Sequence, residues 1–136
     1  MSDIFLDARH EPGLRKGGTV FSLLGDVATA TRIAKAAKAC HLEVHNFDRS
    51  EGLKDHFSRK PPVLILIDWD SKEAEAYRLL KEMAKNADFK RVPKVGFVSQ
   101  TKESLKREAQ AAGCDRVYSR TEFMKELNNI FMRYAL

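Results

Sequence analysis

Apolar positions along this chain alternate between two periods. Thr19 to Leu24, Leu42 to Phe47, Val63 to Ile67, Val95 to Val98 and Arg116 to Ser119 are short, β-branched and aromatic runs, which predict five strands. Between them the spacing shifts to that of helices. Ala30, Ile33, Ala34, Ala37 and His41 recur on one stripe of a first helix, Val27 to Ala39. Leu53 and Phe57 mark a short second helix, for which Ser50 is a candidate cap, and Pro61-Pro62 ends it. Ala76, Leu79, Leu80 and Met83 mark a third helix, with Asp70 or Ser71 as its cap, and Thr101 to Ala112 a fourth that stops at Gly113. The fifth starts at Thr121 and carries the strongest stripe, Phe123, Leu127, Ile130, Phe131 and Tyr134.

Five strands and five helices in strict alternation predict an α/β fold, a doubly wound parallel sheet covered on both faces. Val63-Leu64-Ile65-Leu66-Ile67 is apolar at every position, which suits a central strand buried from both sides. Residues 1–18 contain Pro12 and the pair Gly17-Gly18 and read as an arm ahead of a domain spanning 19–136. One domain is the natural capacity of 136 residues.

Composition narrows the function classes. The longest apolar run is far short of a membrane span, and the N-terminus lacks the basic start and apolar core of a secretory signal, so a cytoplasmic location is expected by default. The net charge of +5 is spread over several elements and does not call for nucleic acid as a partner. Cys40 and Cys114 lack metal-type spacing and read as free thiols, and His10, His41, His45 and His56 share no ligand spacing. No Ser-His-Asp or Cys-His arrangement is present, and Gly17-Gly18 precedes the first strand instead of following it as a phosphate loop would; the chain is read as a non-enzyme.

In an open parallel sheet, chemistry gathers at the carboxyl ends of the strands. Four polar residues fall there: Asp26, Asp68, Ser99 and Arg120. A carboxylate ending a buried strand can attack phosphorus, and a second can help to hold a hard divalent cation. Ser99 can donate to a phosphoryl oxygen and Arg120 can pair with it. The plainer alternatives are that Asp68 braces a turn, that Asp26, Asp70 and Ser99 cap helices, and that Arg120 is a solvated cation.

On these residues, and above all on Leu66-Ile67-Asp68-Trp69-Asp70, the sequence resembles the receiver domain of two-component response regulators, in particular the single-domain chemotaxis type. The resemblance covers about residues 19–136 and implies the flavodoxin-like receiver fold with strand order 2-1-3-4-5. It also implies that Asp68 is the phosphoryl acceptor, that Asp26, Asp68 and the backbone carbonyl of Asp70 serve Mg²⁺, and that Ser99 and Arg120 stand at the switch hydroxyl and at the family's lysine. The implied function is two-component phosphorelay signalling with output through protein–protein contact. The implied partners are a histidine kinase or phosphotransfer protein, a downstream protein, and a second copy through the fourth helix, fifth strand and fifth helix, including Lys102 to Arg107. Gly25 stands where the family has a further acidic residue, Thr121 replaces its proline, and its aromatic switch position falls on Val117 beside Tyr118. The alternative implied by Gly25 is a pseudo-receiver that binds partners without phosphate. A small flavodoxin-like enzyme is a more distant third reading, lacking any nucleotide fingerprint.

Overall fold

The computed structural model describes residues 18–99 and 101–135. The proposed arm lies outside them except for Gly18, which already belongs to the first strand. In chain order the elements are β1 (Gly18–Leu23), α1 (Val27–Ala39), β2 (Leu42–Phe47), α2 (Ser50–Arg59), β3 (Leu64–Asp68), α3 (Glu73–Glu82), α4 (Ala87–Arg91), β4 (Lys94–Val98), α5 (Glu103–Ala112), β5 (Arg116–Ser119), α6 (Arg120–Lys125) and α7 (Leu127–Tyr134). The sheet is wholly parallel in the order β2-β1-β3-β4-β5, the expected winding. The switch point therefore falls between β1 and β3, which pair from Val20 with Leu64 to Leu23 with Ile67.

Strand alternation divides the core. Leu64 and Leu66 of β3 join Ile33, Ala37, Phe97, Phe123, Leu127 and Phe131 beneath α1, α6 and α7. Ile65, Ile67 and Trp69 join Leu53, Phe57, Leu79, Leu105 and Val117 beneath α2, α3 and α5. Continuing the alternation puts Asp68 on the first of these faces and Trp69 on the second.

Several local expectations are corrected. Among the described residues seven helices form where five were expected. The short α4 is started by Asn86, whose side chain accepts the Phe89 amide at 3.0 Å. The last helix breaks at Glu126 into α6 and α7, although hydrogen bonds from Glu126 to Glu122 and from Ile130 to Glu126 carry through the break. His41 is not on the α1 stripe: it is exposed, with φ of 61°, in the turn between α1 and β2, and Ala34 is exposed too while Thr29 is buried. Ser50 does not cap α2. Its amide is met by the Glu75 carboxylate at 2.8 Å, one helix supplying the cap of another. Neither Asp70 nor Ser71 caps α3, and Ser99 does not cap α5, whose N-cap is Lys102. Trp69, one residue beyond the end of β3, is fully buried. Both cysteines are free thiols, and among the described residues no helix is long and apolar enough to cross a membrane.

Candidate functional site

Asp68 ends the central strand with no exposed surface and meets Arg120 at the start of α6. Burying a bare carboxylate is costly, so its partners define the site. One oxygen accepts the Asp70 amide at 3.0 Å and lies 3.4 Å from that of Ser71, and the other accepts the Ser71 hydroxyl at 2.9 Å. Arg120 Nη2 sits 3.0 Å from both oxygens.

The Arg120 guanidinium is placed from three directions. Ser119 caps α6 by accepting the Glu122 amide at 3.2 Å, which fixes Arg120 as the first residue of that helix. The guanidinium carbon lies 5.0 Å from the centre of the Phe97 ring, and Nη1 reaches the Thr29 hydroxyl at 3.3 Å. Thr29 in turn donates its hydroxyl to the Asp26 carboxylate. A continuous chain of bonds thus runs from Asp26 through Thr29 and Arg120 to Asp68.

A second branch joins Ser99. Its amide and hydroxyl both donate to Asp70, at 3.1 and 3.0 Å, and Asp70 also faces Arg120 at 3.5 Å and Lys102 at 3.6 Å. Burial pulls the Asp70 carboxyl upward, but the Ser99 hydrogen bonds and the charges of Lys102 and Arg120 hold it below the ordinary carboxylate range. The four strand-end residues therefore share one connected site: Asp68 and Arg120 touch directly, Ser99 joins through Asp70, and Asp26 joins through Thr29.

The roles differ in detail from the expectation. Asp26 is turned toward its own helix, accepting the amides of Ala28 at 3.2 Å and Thr29 at 3.3 Å, so it caps α1. The Thr29 hydroxyl in particular holds its carboxyl below the usual range. Asp70 acts through its side chain, as the acceptor for Ser99, and Ser99 faces Asp70 rather than Asp68. Sequence reading did not single out Thr29, Ser71 as a partner of Asp68, or Lys72; their common signal is a hydroxyl or amine three or four residues beyond Asp26 or Asp68.

A hard divalent cation asks for several oxygen ligands, chiefly carboxylates. Among the described residues no group of three or more His, Cys, Asp or Glu side chains is placed to hold one. The Asp26 oxygens serve α1, and those of Asp68 serve Arg120 and Ser71. At Gly25 a Cβ atom would meet Lys72, 3.3 Å from its Cε and 3.8 Å from its Nζ. A cation stands where the receiver pattern has an acid, and this donor set does not fit magnesium.

No protein-family model matches the sequence, and no curated protein matches it either. Solved structures do. A putative response regulator from Chloroflexus aurantiacus superposes with a TM-score of 0.76 at 18% identity, covering 88% of this chain and 98% of the other. The chemotaxis response regulator CheY4 of Vibrio cholerae gives 0.73 at 13% identity, covering 88% and 99%. The receiver domain of a sensor histidine kinase from Pseudomonas aeruginosa, determined with magnesium in its active-site cleft, gives 0.74 at 16% identity, covering 87% and 97%. At these identities the likeness is one of fold, and the fold is that of a response-regulator receiver domain.

Proposed function

We propose that this chain is a cytoplasmic receiver module of two-component signalling, which accepts a phosphoryl group on Asp68 from a histidine kinase or phosphotransfer protein and signals through protein contact. The observation that carries this reading is a carboxylate at the end of the central strand, ringed by the donors that a phosphoryl group needs: Ser71, Arg120 and two backbone amides. In the reaction an Asp68 oxygen bonds to phosphorus as the bond from phosphorus to the donor breaks. Arg120, one-third exposed, turns from the carboxylate to the new phosphoryl oxygens. Ser99 leaves Asp70 to donate to the same group.

The output face is assigned to α5, β5 and the last helix, now α6 and α7; β5, α6 and α7 border a cleft of about 620 Å³ lined by Arg116, Tyr118, Glu122, Lys125, Glu126 and Arg133, with Met132 exposed at its rim. The downstream protein, or a second copy of the chain, docks there.

A second reading has one observation in its favour. Asp68 is wholly buried and both its oxygens are already bonded, which suits a pseudo-receiver whose output face is fixed without phosphate. Treatment with acetyl phosphate followed by intact-mass measurement separates the two. An added phosphoryl mass in the wild type that is missing in Asp68→Asn supports the acceptor reading; no adduct in either protein supports the pseudo-receiver.

A further inference from the structure

The place left by the missing acid at the end of β1 is filled. A Cβ on Gly25 would lie 3.8 Å from both Lys72 Nζ and Ser71 Oγ, and that same Oγ is bonded to Asp68 at 2.9 Å. The ammonium and the hydroxyl that holds Asp68 thus face the same space beside Gly25. Its position is set by the backbone, because the Lys72 amide donates to the Asp68 carbonyl at 2.9 Å, closing the turn after β3. The Lys72 side chain is only 19% exposed, although a lysine on a loop would ordinarily extend into water. Its nearest carboxylate is that of Asp48 at 3.9 Å, beyond hydrogen-bonding distance, and Asp48 is itself 85% exposed. Among the described residues no carboxylate is hydrogen-bonded to the ammonium, which leaves it free to meet a stronger anion. Arg120 Nη2 lies 3.0 Å from both oxygens of that carboxylate.

We propose that Lys72 takes the place of the divalent cation, so that Lys72 and Arg120 serve the Asp68 phosphoryl site with two permanent positive charges and the chain needs no metal for transfer. This rests on Asp68 being the acceptor. With acetyl phosphate as donor, an Asp68 oxygen forms the new bond to phosphorus, the bond from phosphorus to the acetyl oxygen breaks, and acetate leaves with the electron pair. No proton or oxidant is required. The charge growing on the equatorial and leaving oxygens is met by an ammonium and a guanidinium where a metal would otherwise meet it. Lysine is a point charge with three rotatable donors and can follow those oxygens as the geometry changes.

The test is the rate of adduct formation from acetyl phosphate, followed by intact mass in excess EDTA and in 10 mM MgCl₂. The wild type is expected to react at rates within about twofold of each other in the two conditions. Lys72→Met is expected to lose tenfold or more of the EDTA rate, and Lys72→Arg to keep most of it, with circular dichroism and urea midpoints showing that both remain folded. In parallel, MgCl₂ should leave the wild-type melting temperature unmoved and raise that of Gly25→Asp/Lys72→Met, which restores the acid and removes the ammonium. A wild type that reacts in magnesium and not in EDTA overturns the role of Lys72 while leaving Asp68 as the acceptor. A wild-type melting temperature raised by magnesium overturns it without reference to phosphorylation. Absence of adduct in both conditions overturns the acceptor reading and this inference together.

Discussion

The Trp69 indole lies against the backbone of Gly96, so close that a Cβ there would stand 2.7 Å from both Cδ1 and Nε1 of the ring. The ring is held from its other sides by the Tyr77 edge, with centroids 5.0 Å apart, and by the Cys114 sulfur, 3.3 Å from Nε1. A glycine inside β4 weakens the strand, and here it makes room for the largest side chain in the core. Gly96→Ala is expected to cost about 1–3 kcal/mol by overpacking, read as a lower urea midpoint. In Trp69→Phe, where the ring is smaller, the same change should cost clearly less. Equal costs in the two backgrounds would show that the tryptophan is not what excludes the methyl group.

Removing Arg120 should be the most damaging single change at the site. Arg120→Met leaves Asp68 buried without its cation, and because the guanidinium is one-third exposed the cost falls below the roughly 3–5 kcal/mol of breaking a fully buried pair. The double variant Asp68→Leu/Arg120→Met should recover part of that loss, because it removes the carboxylate as well. Denaturation curves of the two proteins check this. A double variant less stable than Arg120→Met alone would rule it out.

Glu75 accepts the Ser50 amide at the start of α2, and this bond holds its carboxyl below the ordinary range. Asp70 is lowered too, by Ser99 and the neighbouring cations against the effect of burial. For groups depressed in the folded state, the stabilisation is present above the unfolded value, about 4 for such carboxyls, and is lost as the pH falls through the folded one. The gap in urea midpoint between wild type and Glu75→Gln should therefore be widest near neutral pH and close below about pH 4. The same convergence is expected for Asp70→Asn. Gaps that stay constant down to pH 2 would place the contribution elsewhere.

The two thiols should behave differently. Burial raises the Cys114 thiol to about 12, while Cys40 is only half-buried. A thiol-reactive chromophore is expected to modify Cys40 promptly in the native protein and Cys114 only after urea. Because the folded value is raised, Cys114 adds stability that is intact below about pH 8.5 and drains away as the pH rises toward 12. Cys114→Ala should lose less stability than wild type over that alkaline interval. Rapid native modification of both sulfurs would contradict the packing around Trp69.

The strands and the place of Asp68 were legible because the governing signals are local and redundant. An uninterrupted apolar run flanked by Pro62 and Asp68 admits few arrangements other than a central parallel strand with an acid at its end. What escaped depends on partners distant in sequence. That Ser50 is capped by Glu75 cannot be read from the α2 sequence, and the burial of Trp69 needs knowledge that Gly96 lies beside it across the sheet. The five residues of α4 are too few to show a period, though Asn86 three residues before Phe89 was a usable sign. The joining of Asp26 to Arg120 through Thr29 depends on side-chain reach between α1 and α6, which spacing within either helix does not encode. Gly25 was legible as a departure; that Lys72 fills its place was not.

The winding of the sheet also governs how the chain reaches its native state. β1 is hydrogen-bonded to β2 and to β3, whose residue Leu64 pairs with Val20, so its pairing cannot be completed until α1, β2 and α2 have emerged. At about 5–20 residues per second, translation leaves that strand's second edge unpaired for some seconds. With no hairpin among the described residues to close early, refolding is expected to be slow for a protein of this size, and the nascent chain is most vulnerable to aggregation in that interval.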